Sequence, residues 1–338
     1  MKIPEKSRFL IYALGIFFCY FLYGIVQEKI MRGRYGQTAN EDGTVGEKFT
    51  YALALVWVQC LCNFIFAKCM LTVKPQKEDT TPRSYYAISA LTYLLGMVSS
   101  NMALRWVPYP TQVVGKSAKP IPVMILGVLL GRKSYTWIRY ACVLTIVVGV
   151  VLFMYKENKA PSVAATDKTG LGELLLILSL SMDGLTGAVQ ERMRSASAPS
   201  GQQMMMSMNF WSTLMLGFAM IVTGEGKEFV HFATRHPELW GHLAMLALCG
   251  CLGQLFIFLM VSGFGPLACS VVTTTRKFFT VLCSVVIFGN VLLPRQWFGA
   301  VLVFAGLFAD MFFGKKPPTS SNKKPIAKDT EEKKKLIS

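Results

Sequence analysis

Lys116 and Lys119, in the stretch Gly115-Lys116-Ser117-Ala118-Lys119, and the pair Arg276-Lys277 are the residues of this chain best placed to do chemistry. Each is a cation set inside a long apolar run. Lysine acts on phosphate as a point charge and arginine as a planar fork of donors, so four such groups suit an anion with several charges. Gly-Lys-Ser also ends the phosphate-binding loop G-x-x-x-x-G-K-[ST], but that motif needs a glycine where Pro110 stands and a strand before it. Here the apolar run Val123 to Leu130 follows instead. A soluble nucleotide hydrolase is excluded. No nucleophile, base and orienting group fall together, so neither an enzyme nor a catalytic residue is expected.

The elements that must position these cations are membrane helices. The chain has 338 residues, of which 53% are hydrophobic and only 16% charged, and its mean hydropathy is +0.43. That is too apolar for ordinary soluble domains. Apolar runs long enough to cross a bilayer lie near 9–27, 49–73, 85–106, 111–131, 137–155, 172–190, 205–223, 240–262, 267–289 and 296–313,. Backbone polar groups cannot go unpaired in lipid, so the fold class is an all-α membrane protein with ten transmembrane helices. A net charge of +16 in such a chain points to membrane sidedness and not to nucleic acid. Loops on the side of the N-terminus carry 18 Lys and Arg against 10 on the other, eight of the 18 lying in the tail. The positive-inside rule then places both termini in the cytosol.

Burying a lysine or arginine at a helix centre costs roughly 2.5–3.5 kcal/mol, so four cost on the order of 10 kcal/mol without partners or water. Gln112, Lys116 and Lys119 recur at i, i+4 and i+7; Thr273, Arg276, Lys277 and Thr280 form a similar stripe. Both stripes can face one cavity, and Pro120 and Pro122 should distort the helix where it opens. Acids available at depth are Asp183, Glu28 and Asp310, with Glu173 and Glu191 near span ends. They are fewer than the charge requires, which leaves an excess for an anionic ligand. Gln27, Asn101, Gln112, Gln190 and Gln254 could read a base or ribose, and Tyr20, Tyr23 and Tyr109 could stack on one.

The halves repeat. Lys119 is followed by Gly131, Trp137 and a helix with Gly149, as Lys277 is by Gly289, Trp297 and a helix with Gly306. The copies are five spans apart, an odd offset that inverts the second: residues 1–155 form one five-helix repeat and 172–313 the other. Segment 156–171 reads as a linker, 28–48 as a polar loop, 224–239 as a short surface helix, and 314–338 as a disordered basic tail. His231, His236 and His242 read as solvated positions. The nine cysteines lie within spans as small apolar residues, and Cys60-x-Cys62 and Cys249-x-Cys251 lack zinc-site spacing, so no metal is expected.

Five phrases carry a resemblance: FFCYFLYGIVQEKI (17–30), MVSSNMALRWVPYPTQVVGKSAKPIPVM (97–124), GELLLILSLSMDGLTG (172–187), FGPLACSVVTTTRKFFTVL (264–282) and QWFGAVLVFAGL (296–307). Together they resemble the nucleotide-sugar transporter family, solute carrier family 35, and within it the B branch. The resemblance implies a drug/metabolite-transporter fold of two inverted five-helix halves in the endoplasmic reticulum membrane, or that of the Golgi, with no cofactor. It implies a nucleotide antiporter that exchanges ATP for ADP or, as the alternative, carries a UDP-sugar such as UDP-galactose or UDP-glucose. Lys116, Lys119, Arg276 and Lys277 would hold the phosphates. Glu28 would meet a lysine when substrate is absent, and Tyr23 and Thr273 join the possible nucleoside contacts. The family's dilysine retrieval signal is imperfect here, because the chain ends KKKLIS.

Overall fold

The computed structural model describes residues 4–39, 45–103, 112, 115–132, 134–154, 170–287 and 293–313. Its helices are α1 (Glu5–Arg32), α2 (Ala52–Val73), α3 (Arg83–Ala103), α4 (Pro120–Leu129), α5 (Trp137–Met154), α6 (Leu171–Ala196), α7 (Gly201–Thr223), α8 (Glu225–Arg235), α9 (Glu238–Phe264), α10 (Pro266–Ile287) and α11 (Pro294–Phe313). Helices α1, α2, α6, α7 and α9 are each long and apolar enough to cross a membrane, and α4 and α5 are shorter apolar helices. On α1 the outward stripe Leu10, Leu14, Phe18, Phe21 and Ile25 is exposed while Ile16 and Cys19 are buried. A helix apolar on its outer face as well as its inner one is suited to lipid.

Small residues set how closely the helices approach. Helices α5 and α11 cross at glycine: a Cβ on Gly149 would lie 2.8 Å from the Gly299 carbonyl oxygen, and one on Gly299 2.7 Å from that of Gly149. Helices α3 and α6 are joined by Ser179, whose hydroxyl donates to the Gly96 carbonyl, and by the Thr92 and Thr186 hydroxyls 2.8 Å apart. Without a hydrophobic force between lipid-facing helices, such packing and hydrogen bonding must supply the association. Ser200 caps α7 reciprocally with Gln203, which satisfies two of its free N-terminal donors,.

The expected polar loop 28–48 is in fact partly a hairpin. Strands β1 (Arg34–Ala39) and β2 (Val45–Lys48) pair antiparallel, with Arg34 opposite Lys48 and Tyr35 opposite Glu47. The 224–239 segment does hold a short helix, α8, whose Phe229, Phe232 and Ala233 are buried at i, i+3 and i+4,. Hairpin and helix form one cap: Arg235 pairs with Glu47 at 2.8 Å, and the Phe232 ring lies 5.7 Å from Tyr35. Burial, reinforced by Glu238, pushes the Tyr35 phenol above its usual pKa,. His236 and His242 are not solvated loop positions. His236 is buried with its ring 4.6 Å from Phe232, and His242 lies in α9 with its ring 6.4 Å from Tyr35. Glu225 reaches across to accept the Ala54 N–H at 3.0 Å, fixing the start of α2 to the cap,.

Candidate functional site

The site begins with what glycine permits on α6. A Cβ on Gly184 would sit 2.8 Å from the Pro122 carbonyl oxygen, and one on Gly187 2.9 Å from the Val123 side chain. Helix α4 therefore lies directly on α6, one turn from Asp183. Pro120 and Pro122 lack N–H groups and occupy the first turn of α4, where the missing donors cost least. Just before them the chain tightens into i→i+3 bonds, with Lys119 N–H on the Lys116 carbonyl at 3.4 Å and Ile121 N–H on that of Ala118 at 3.0 Å,. The expected distortion is this turn, and it puts both lysines over one carboxylate.

Lys116 Nζ lies 2.6 Å from Asp183 Oδ2 and Lys119 Nζ 3.3 Å from Asp183 Oδ1. The side chains of Asp183 and Lys116 are 7% and 17% exposed, but that of Lys119 is 34% exposed. Lys277 joins these three around a cavity of about 200 Å³ that Ser100 and Asn101 also line. A second cavity, of about 370 Å³, shares Lys119, Asp183, Tyr93 and Met97 with it. The two form a continuous path from a cationic lobe to a lobe walled by aromatic rings and amides. The larger volume falls in the range of small-molecule sites. Arg276 stands in the wall with its guanidinium 5.4 Å from the centre of the Tyr20 ring, a cation–π contact.

Of the residues expected from sequence, Lys119, Tyr20, Tyr23, Gln27, Gln190, Gln254 and Thr273 line the larger lobe, and Lys116, Lys277 and Asn101 the smaller. Gln112 is turned to the scaffold, its amide donating to the Ser100 carbonyl at 2.6 Å and hydroxyl at 3.0 Å. Glu28 is exposed near the end of α1 and lines neither lobe; the carboxylate that meets Lys116 and Lys119 is Asp183. Glu173 is exposed, and Glu191 is 1% exposed and pairs with Arg194 at 3.3 Å. Tyr109 and the side chains of Thr280 and Asp310 lie outside the described residues.

Two features escaped the sequence reading. Gln59, Asn63 and Asn209 line the larger lobe, yet each is a lone amide among apolar neighbours. Their only signal is the i, i+4 spacing of Gln59 and Asn63 on α2. The other is a short repeat, Gly24-Ile-Val-Gln-Glu-Lys against Gly187-Ala-Val-Gln-Glu-Arg. It pairs Gln27 with Gln190, and both line the larger lobe.

The model of the UAA transporter family matches residues 8–313 of this chain. Solute carrier family 35 member B1 homolog of Drosophila melanogaster is 73% identical over 336 residues, covering 99% of each chain. Solute carrier family 35 member B1 of Bos taurus is 50% identical over 314 residues, 93% of this chain and 96% of its own; that of Gallus gallus is 51% identical over 315 residues, 92% and 94%. With a cationic cavity between membrane helices and a match running almost from end to end, the chain belongs to the UAA transporter family and is a multi-pass membrane transporter of nucleotide or nucleotide-sugar type.

Proposed function

We propose that this chain is an antiporter of the endoplasmic reticulum membrane that exchanges ATP for ADP by alternating access. The observation that carries the reading is the cationic lobe, in which Lys116, Lys119 and Lys277 surround the single carboxylate Asp183 with Arg276 close by in the wall. A terminal polyphosphate fits such a lobe, and the adjoining aromatic and amide lobe suits its nucleoside. With no ligand, mutual repulsion among the cations disfavours an occluded state, and a bound polyphosphate offsets it. The empty carrier reorients slowly, and exchange prevails over leak, because a ligand shifts an equilibrium only by its differential affinity for the two states.

Ten spans in two inverted halves, with both termini cytosolic, complete the proposal. Its support is the helix pairing: α1 packs on α9 as α6 packs on α3, while α2 pairs with α7 and α5 with α11. An operation that shifts each span by five exchanges the first two pairs and returns the last two to themselves. A UDP-sugar is the second reading, favoured by Ser100 and Asn101, which place neutral polar groups beside the lysines where sugar hydroxyls would lie.

The test is uptake of labelled ATP and, in parallel, labelled UDP-galactose into proteoliposomes preloaded with ADP, with Lys119→Ala as control. ATP uptake that requires internal ADP and is lost in the variant is expected. UDP-galactose uptake alone would move the assignment to a nucleotide-sugar carrier. Normal transport by a folded Lys119→Ala, Lys277→Ala double variant would sink the site.

A further inference from the structure

We infer that the wall formed by α2, α7 and α9 reads the exocyclic amine of an aminopurine, an inference that rests on the nucleotide-carrier reading above. The wall holds a relay of amides whose direction is forced. Asn209 Nδ2 donates to the Met205 backbone carbonyl at 2.7 Å, and a carbonyl can only accept. Asn209 therefore turns Oδ1 toward Asn63, which donates from Nδ2 at 3.3 Å. Asn63 in turn presents Oδ1 to Gln59, which donates from Nε2 at 2.9 Å. Flipping any one amide would set oxygen against oxygen or amine against amine, so the relay has one polarity. It ends on Gln59 Oε1, a buried acceptor with no partner.

Gln254 Oε1 is a second buried acceptor with no partner. The two belong to one strip of wall. The Gln59 amide rests where a side chain on Gly250 would begin, and Gln254 follows Gly250 by one turn of α9,. Both glutamines line the larger lobe. Amides that serve only to hold helices together close on one another, as Asn63 and Asn209 do at 2% exposure each,. Gln59 and Gln254 leave an oxygen over, and buried polar atoms without partners are uncommon enough to need a cause.

Two neighbouring acceptors select a ligand that brings two donors on one atom. The amine of adenine carries two N–H groups on a single nitrogen. Uracil offers one ring N–H flanked by carbonyls, and hypoxanthine puts a carbonyl where adenine has its amine, facing oxygen to oxygen. Tyr20 and Tyr23, with ring centres 5.7 Å apart on α1, line the same lobe and give the base a flat surface,. Lys119, shared by both lobes, then marks the passage from nucleoside to phosphates.

The experiment is competition against labelled ADP uptake by the full chain in proteoliposomes preloaded with ADP, using ATP, inosine triphosphate and N6,N6-dimethyl-ATP as competitors. In the unaltered chain inosine triphosphate and the dimethyl analogue are expected to compete at least about tenfold more weakly than ATP, because each leaves the acceptors unpaired. In Gln254→Leu and Gln59→Leu the ratio should fall to within about threefold, chiefly through weaker competition by ATP. Equal competition by ATP and inosine triphosphate in the unaltered chain overturns the amine reading whatever the variants do, as does an undiminished ratio in folded variants. Either result leaves the nucleotide carrier standing. No exchange of ADP at all by the unaltered chain removes both readings together.

Discussion

Asp183 carries an unusual burden for one residue, since it meets both Lys116 and Lys119 from a position 7% exposed. Such a carboxylate stabilises the empty cavity and competes with any phosphate that enters it. The two roles separate on substitution. Asp183→Asn keeps the size of the side chain and removes the charge, leaving the two lysines without that ion pair. Breaking a buried pair costs about 3–5 kcal/mol, and the partial solvent access of both lysines should reduce this to about 1–3 kcal/mol. The variant should therefore melt lower than the unaltered chain when empty, yet gain more from ATP, whose phosphates no longer displace an acid. Melting curves of the purified carrier with and without ATP check this. A smaller ATP-induced rise in the variant would show that Asp183 helps the ligand bind instead of competing with it.

Among elements, the crossing of α5 and α11 makes the sharpest demand on sequence. Both backbones pass so close at Gly149 and Gly299 that a Cβ on either meets carbonyl oxygen, which cannot swing aside. Gly299→Val should force the helices apart at a cost of about 1–3 kcal/mol or more, whereas Gly24→Ala, with nothing within 4 Å of its Cβ, should be nearly neutral. Thermal unfolding of the detergent-purified protein compares them, and equal stability of the two would mean that the crossing tolerates separation. Elements of this kind were legible in part. Long apolar runs announced α1, α2, α6, α7 and α9, and cations inside such runs announced Lys116, Lys119, Arg276 and Lys277, because burying a charge is costly wherever the helix sits. What holds the hairpin was not legible. Arg34 to Lys48 has little apolar alternation, and its cohesion comes from Arg235 and Phe232, nearly 200 residues away. Asp183 and Glu28 were both available acids by sequence. Only the glycine faces of α6, which admit α4, bring Asp183 to the lysines.

At the scale of the whole molecule, the hairpin after α1 and the helix after α7 must share one face, since Glu47 and Arg235 pair and Glu225 caps α2. The opposite face holds the turn from α9 to α10, where Arg194 donates to the carbonyls of Ser262 and Gly263 at 2.9 Å each. The excess of Lys and Arg lies on that second face together with the N-terminus, 18 against 10, so it should be cytosolic and the cap should stand in the lumen. The sequence offers a direct readout. Asn40-Glu41-Asp42 becomes an N-glycosylation acceptor through the single change Asp42→Thr,. In microsomes that variant should gain one glycan, removable by endoglycosidase, while an acceptor introduced in the tail beyond Phe313 should stay unmodified. Glycosylation of the tail site alone would reverse the orientation and place the basic face in the lumen. Modification of both would put the termini on the same side as the hairpin turn, against an even number of spans with an odd one before the cap.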